Sequence, residues 1–213
     1  GWERKRGKLA EFNALLCGEK NNSFSHIHGN IDLLGNIRYV ITLDTDTQLP
    51  RDSVKGLIGT LAHPLNRPVL DPDTKKIVRG YGLLQPKIAI SHNSANRSFF
   101  SRLFGGQSGI DSYSGAVSDP YQDLFQRGIF TGKGIYDVRV FHNILWDRIP
   151  ENSILSHDLL EGSLVKAGLV TDIELIDDYP VTYLNALERM HRWVRGDWQL
   201  LPWLGKKVRN RLG

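Results

Sequence analysis

Apolar positions along this chain cluster in short runs that switch between a strand-like and a helix-like period. Tyr39, Val40, Ile41 and Leu43 make residues 37–43 a buried strand, which Pro50 closes off. Residues 82–90 read as another strand, broken at Pro86, and residues 169–176 as a third. Residues 67–79 predict two short strands around a turn at Asp71-Pro72-Asp73. Residues 129–140 predict a tight backbone approach at Phe130-Thr131-Gly132-Lys133-Gly134 leading into a strand. Helical spacing appears over 8–20, with Leu9, Phe12, Leu15 and Leu16 on one face. A second helix runs through Val54, Leu57, Ile58 and Leu61, capped by Asp52 or Ser53 and ended by His63-Pro64. A third spans 158–167, burying Leu159, Leu160, Leu164 and Val165, with Gly168 as its C-cap. A fourth covers 183–193 and extends as far as Gly196. Residues 21–29 are polar loop. Residues 99–119, rich in Gly and Ser, lack periodicity and read as a mobile loop of the kind that closes over a site. Strands alternating with helices predict an α/β fold with a mixed sheet flanked by helices.

Composition narrows the class. The 213 residues suffice for one sizeable domain with a real core. A net charge of +4 suits an anionic substrate or an acidic membrane surface and selects neither. Nucleic acid is disfavoured as a partner, because no dense Lys/Arg stripe with interleaved aromatics occurs. Cys17 is the single cysteine, so an internal disulfide and a multi-cysteine zinc site are excluded, and a reducing compartment with a buried structural thiol is expected. The first residue is Gly1, no signal-peptide core follows it, and no apolar run is long enough for a membrane span. The expectation is a piece of a larger protein.

Candidate chemistry begins at Asp44-Thr45-Asp46. Side chains alternate along a strand, so both acids point to one side of its carboxyl end, the edge where open α/β sheets bind ligands. Beside a diphosphate they could hold a hard divalent ion; a solvated turn has the same sequence. Asp158, in Ser156-His157-Asp158, is either a cap at a helix start or a reactive acid. A hydrolytic triad is disfavoured, since no G-x-S-x-G elbow occurs. His26 and His28 read as loop residues without a third ligand. Phe130-Thr131-Gly132-Lys133-Gly134 fails the phosphate-loop spacing. Arg189, Arg192 and Arg195 recur every three residues, so a helix gathers them where they could neutralise a diphosphate or simply be solvated. Trp193 within that row suits a sugar ring or a membrane interface. Trp198 and Trp203, with Leu200, Leu201 and Leu204 and a basic tail, fit either an interfacial segment or the end of a core helix.

In this order, the segments resemble a processive family 2-type glycosyltransferase over most of the chain. The matching elements are Lys8-Leu9 with Asn13-Ala14-Leu15, Asp44-Thr45-Asp46, Gln85-Pro86, Phe130-Thr131-Gly132, Ser156-His157-Asp158 and Arg189-x-x-Arg192-Trp193. The wording is most similar to the bacterial cyclic β-1,2-glucan synthases, at Asp44–Arg51, Gly132–Asp137, Ser156–Gly162 and Arg192–Gln199. Ser156-His157 replaces the usual Thr-Glu, and Arg189 replaces the common Gln. The resemblance implies a GT-A-like fold in which the N-terminal part of the nucleotide-binding half is missing. It implies a transferase domain over 1–196 and an interfacial or juxtamembrane segment over 197–213. The reaction it implies moves glucose from UDP-glucose to a growing β-glucan acceptor with inversion. The work would be done at the cytoplasmic face of the bacterial inner membrane, beside the membrane-embedded remainder of a parent protein. Asp44, Asp46, Arg189 and Arg192 would bind the donor. Asp46 would ligate Mg²⁺ or Mn²⁺, Asp158 would be the base, and Trp193, Thr131 and Gly132 would bind the acceptor. Three other readings stay open on the residues alone. One is a two-carboxylate glycosidase using Asp44 and Asp158. Another is a phosphatase that begins strand-D-x-D, although Gln48 stands where that pattern wants Thr or Val. The third is a non-catalytic module docking on a membrane.

Overall fold

The computed structural model describes residue 3 and residues 5–19, 23–105, 119–205, 208 and 210–211. Its centre is a four-stranded mixed sheet in the order β1 (Tyr39–Thr42), β5 (Gly134–Asp137), β4 (Leu83–Ile90), β6 (Ala167–Asp177). Strand β5 is antiparallel to both β1 and β4, while β4 and β6 are parallel. β1, β4 and β6 therefore run one way, and β5 enters beside the end of β1 and pairs with the first residues of β4. The expected α/β fold with a mixed sheet and flanking helices is what the chain adopts.

Alternating side chains give the sheet two covered faces. Leu83 and Tyr136 face one core with Val138, Phe141, Ile144, Val165 and Ala167. Leu84 and Ile135 face the other, with Leu57 and Leu61 of α2 (Ser53–Ala62) and Val170. Strands β2 (Val69–Leu70) and β3 (Ile77–Arg79) form a separate antiparallel pair around the expected turn. Strand β4 passes through Pro86 unbroken. Pro86 pairs with Val170 and Lys87 with Glu174, so residues 171, 172 and 173 of β6 bulge out beside a residue that has no N–H to donate.

Several elements differ from the sequence reading, each for a local reason. Helix α1 is Lys5–Leu16, not 8–20, and it buries Arg6, Asn13, Ala14 and Leu16, whereas Phe12 is 36% exposed. Its inner face is polar because it has polar partners: Arg6 donates to the carbonyls of Ile149 and Pro150, and Asn13 accepts from the Tyr136 hydroxyl at 2.9 Å. Residues Ile31–Asn36 form a 3-10 helix capped by Asn30. Helix α3 is the single turn His92–Ala95. Within the stretch read as a loop, Phe99–Phe104 is helix α4, started by a capping box between Ser98 and Ser101. Pro120–Phe125 is α5, begun by Asp119 and Pro120. The lid reading of that stretch falls on 106–118, outside the described residues. The strand expected to reach residue 140 stops at Asp137, whose carboxylate accepts from the Arg139 and Val140 amides and starts α6 (Val138–Leu145). Helix α7 is Asp158–Val165, ended by Lys166 at φ 55°; Gly168, the expected cap, lies in β6. Helix α8 is Tyr183–Trp198, and a 3-10 turn follows at Leu201–Leu204. Leu200 and Trp203 pack on the main core, while Trp198 and Leu204 are exposed. Among the described residues, no helix is long and apolar enough to cross a membrane.

Candidate active site

Strand direction decides where the polar residues meet. The carboxyl ends of β1 and β6 and the entry to β5 share one sheet edge, and α7, which precedes β6, starts at that edge too. Asp44, Gly132, Lys133, Asp158 and Asp177 all lie there, although they span much of the chain. Of the D-x-D pair, Asp44 turns inward. Its Oδ1 accepts from Lys5 Nζ at 2.9 Å, and its Oδ2 lies 3.3 Å from Lys133 Nζ. Lys133 is buried and also donates to Asp177, which in turn accepts from the Thr47 hydroxyl at 2.7 Å. Burial pushes the Asp44 carboxyl up, but the Lys5 hydrogen bond and the charges of Lys5 and Lys133 outweigh it and hold the group below its ordinary value. Asp46 sits in the exposed turn after β1 and makes no ion pair with any described residue.

The Phe130-Thr131-Gly132 turn joins this network to Asp158. Lys5 Nζ donates to the Gly132 carbonyl at 2.9 Å as well as to Asp44. Gly132 has φ +89°, and a Cβ there would lie 2.7 Å from Asp158 Oδ1. The glycine is required twice over, by its left-handed backbone and by the space the carboxylate occupies. Thr131 donates both its amide and its hydroxyl to Gln85 Oε1, at 2.9 and 3.0 Å, and the Gln85 amide donates to the carbonyl of Pro86. Gln85, fully buried in β4, thus fixes the turn.

Asp158 is the first residue of α7 and does not cap it; His157 holds the cap position without a side-chain cap bond. The His157 imidazole turns inward instead. Its Nδ1 lies 2.9 Å from Glu161 Oε2 and 3.5 Å from Asp158 Oδ1. Burial pushes His157 down, yet the Glu161 charge and hydrogen bond and the Asp158 charge overcome this and raise it to about 8. An imidazolium has no lone pair on Nδ1, so a protonated His157 cannot ligate a metal through that atom.

Helix α8 reaches the site through its C-terminal half. Gly196 packs so tightly on the segment before Asp158 that a Cβ would lie 2.1 Å from Ser156 Cβ. Gln199 accepts from the Leu155 amide at 2.9 Å. Arg192 is one turn before Gly196 and so lies on the same face. Arg189 stands over the half-buried Trp193 ring, 5.0 Å from its centroid. Neither arginine forms an ion pair with Asp44, Asp46 or Asp158 among the described residues.

The structure therefore brings together Asp44, Thr131, Gly132 and Asp158, and sets the Arg189–Trp193 row on an adjoining helix. Sequence reasoning missed Lys5, Lys133 and Glu161. Lys133 had a visible signal, a cation between two glycines beside a motif residue. Lys5 and Glu161 had none, because their partners are distant or depend on helix phase. His26 and His28 lie in an exposed loop. Cys17 is partly buried against the core, and burial raises its thiol. For a divalent ion, the donor set is asymmetric. Both Asp44 oxygens already face ammonium groups, whereas the Asp46 carboxylate is open. One carboxylate with phosphate oxygens and water fits a magnesium-like ion.

No family model matches the chain. Over 205 residues it is 52% identical to "Cyclic beta-(1,2)-glucan synthase NdvB" of Rhizobium meliloti (strain 1021). The match takes in 96% of this chain and 7% of that protein's length.

Proposed function

We propose that this chain holds the donor and base residues of an inverting glycosyltransferase that extends a β-glucan with glucose from UDP-glucose, in the synthesis of cyclic β-1,2-glucan. The observation that carries this reading is the Lys5–Asp44–Gly132–Asp158 arrangement at one sheet edge, in a chain half identical to a segment of a glucan synthase. Lys5, partly exposed beside Asp44, would give a nucleoside diphosphate a cation to approach, and Asp44 would accept from sugar hydroxyls through its remaining lone pairs. Arg189 and Arg192 would meet the departing diphosphate. Asp46 would hold Mg²⁺ or Mn²⁺, and the ion, when bound, would offset charge on the leaving UDP.

Asp158 would take the proton of an acceptor hydroxyl as that oxygen bonds to the anomeric carbon. The bond from that carbon to UDP breaks on the opposite side, so an α-linked donor gives a β-linked product. Gly132 and Thr131 would shape the acceptor side of the turn, and Trp193 would stack on the acceptor glucose. A general base of this kind contributes about 10² to 10⁴-fold, which sets the loss expected for Asp158→Asn. We place the reaction at the cytoplasmic face of a bacterial inner membrane, with the exposed Trp198 and residues 197–213 near the lipid surface.

The test replaces the corresponding segment of the Rhizobium meliloti relative with this chain. Membranes would be supplied with radiolabelled UDP-glucose and Mg²⁺ or Mn²⁺. The expected outcome is label in glucan, reduced at least about 10²-fold by Asp158→Asn and made ion-insensitive and weak by Asp46→Ala. Undiminished incorporation in both variants would refute the mechanism. Sugar release without a nucleotide donor would favour a glycosidase instead.

A further inference from the structure

We propose that His157 and Glu161 form a positioning dyad that fixes which Asp158 oxygen meets the acceptor. The proposal deepens the reading of Asp158 as the base and rests on it.

The dyad is built from helix phase. His157 immediately precedes α7 and Glu161 lies one turn on, so their side chains meet on the inner face of the helix start. Both are almost fully buried, at 4% and 3% exposure. The Asp158 side chain is 29% exposed, but its Oδ1 is buried and makes no hydrogen bond. The charged atom of His157 nearest to Oδ1 is Nδ1, at 3.5 Å. Gly132 closes the other side of that oxygen. Oδ1 is thus held between a ring and a backbone turn, and the accessible oxygen is Oδ2.

The imidazole settles an electrostatic conflict. Donor atoms of His157, Asp158 and Glu161 all lie within 4.8 Å of one another. Two carboxylates this close repel each other. A cation between them removes the conflict. The contact with Glu161, at 2.9 Å, becomes an ion pair when the ring is protonated. The charged groups facing the imidazole are Glu161 and Asp158 from α7 and Arg6 from α1. Arg6 opposes the proton, but its own charge is engaged by Glu3. The raised value of His157, about 8, agrees with this balance and keeps the ring charged at neutral pH.

The experiment compares pH profiles of UDP-glucose turnover in the chimaeric synthase with imidazole titration by NMR in the chain. In the wild type, turnover should fall as pH rises through about 8, following the His157 titration. His157→Gln keeps a hydrogen-bonding side chain but no charge. It should remove that alkaline limb and lower kcat with little change in KM for the donor. Glu161→Gln, a second variant should the first not fold, should move the imidazole titration and the alkaline limb together to lower pH. A His157→Gln profile that superimposes on the wild type would overturn the dyad, as would an imidazole titrating at or below its ordinary value. Absence of any UDP-glucose turnover would overturn the transferase reading alone, leaving the titration to decide the dyad.

Discussion

Lys133 is the residue on which the charge balance at the sheet edge turns. Its ammonium is buried between Asp177, itself buried, and the half-exposed Asp44. Removing one member of a buried pair leaves the other uncompensated, so Lys133→Met should cost about 3–5 kcal/mol. Urea unfolding at neutral pH measures this, and a cost under about 1 kcal/mol would show that Asp177 is satisfied without the lysine. The same substitution should weaken donor binding, because it strips one of two cations from Asp44. Asp44 and Asp158 were recognisable from their motifs. Lys133 was signalled only as a cation between two glycines, and its role appears when the fold sets it beside Asp177 at the end of β6. Burial of Asn13 and Gln85 has a similar cause: both are motif residues whose visible role in the structure is to hold a neighbour, Tyr136 in one case and Thr131 in the other.

At the scale of elements, α8 is the one whose placement is least dictated by its own pattern. Tyr183, Leu184, Leu187, Met190 and Val194 are all substantially exposed, so apolar periodicity does not dock it. It is fastened near its C-terminal end, by Gly196 on Ser156 and Gln199 on Leu155. Gly196→Ala discriminates this. In a helix that packs on nothing, alanine would be stabilising by about 1 kcal/mol relative to glycine. Here its Cβ would lie 2.1 Å from Ser156 Cβ, so the expected result is a lower Tm and slower turnover, as α8 is pushed off the segment before Asp158. A higher Tm would show that the helix does not rest on that segment. Other elements followed their capping chemistry more closely than their hydrophobic pattern. Asp137 turned the end of an expected strand into α6, and the Ser98–Ser101 box made a helix within a stretch without periodicity.

The whole molecule should report His157 in its pH dependence of stability. The ordinary histidine value is about 6.5 and the folded value is raised to about 8. A group raised on folding gives its full stabilisation below the unfolded value and loses it as pH climbs through the folded one. Stability should therefore decline between about pH 6.5 and 8.5 by about 2 kcal/mol, and His157→Gln should flatten that decline. Asp44 acts in the opposite direction at low pH: its lowered value gives stability above the ordinary carboxylate range that is lost on acidification. Urea midpoints across pH test both, and a flat wild-type curve from pH 6.5 to 8.5 would contradict the histidine assignment. The sequence by itself determined the α/β class, the strands within 37–43 and 169–176 and the one around Pro86, the helices after Asp52, at Asp158 and at Tyr183, and the acids at 44, 46 and 158, because each rests on local periodicity or on a short motif. Only the tertiary structure decided that Asp44 is clamped by two lysines while Asp46 stays open, that Gly132 makes room for Asp158, and that His157 with Glu161 stands behind it. Lys5 also reaches the Gly132 carbonyl, 127 positions along the chain, and the antiparallel β5 sets Gly132 and Lys133 beside the end of β1.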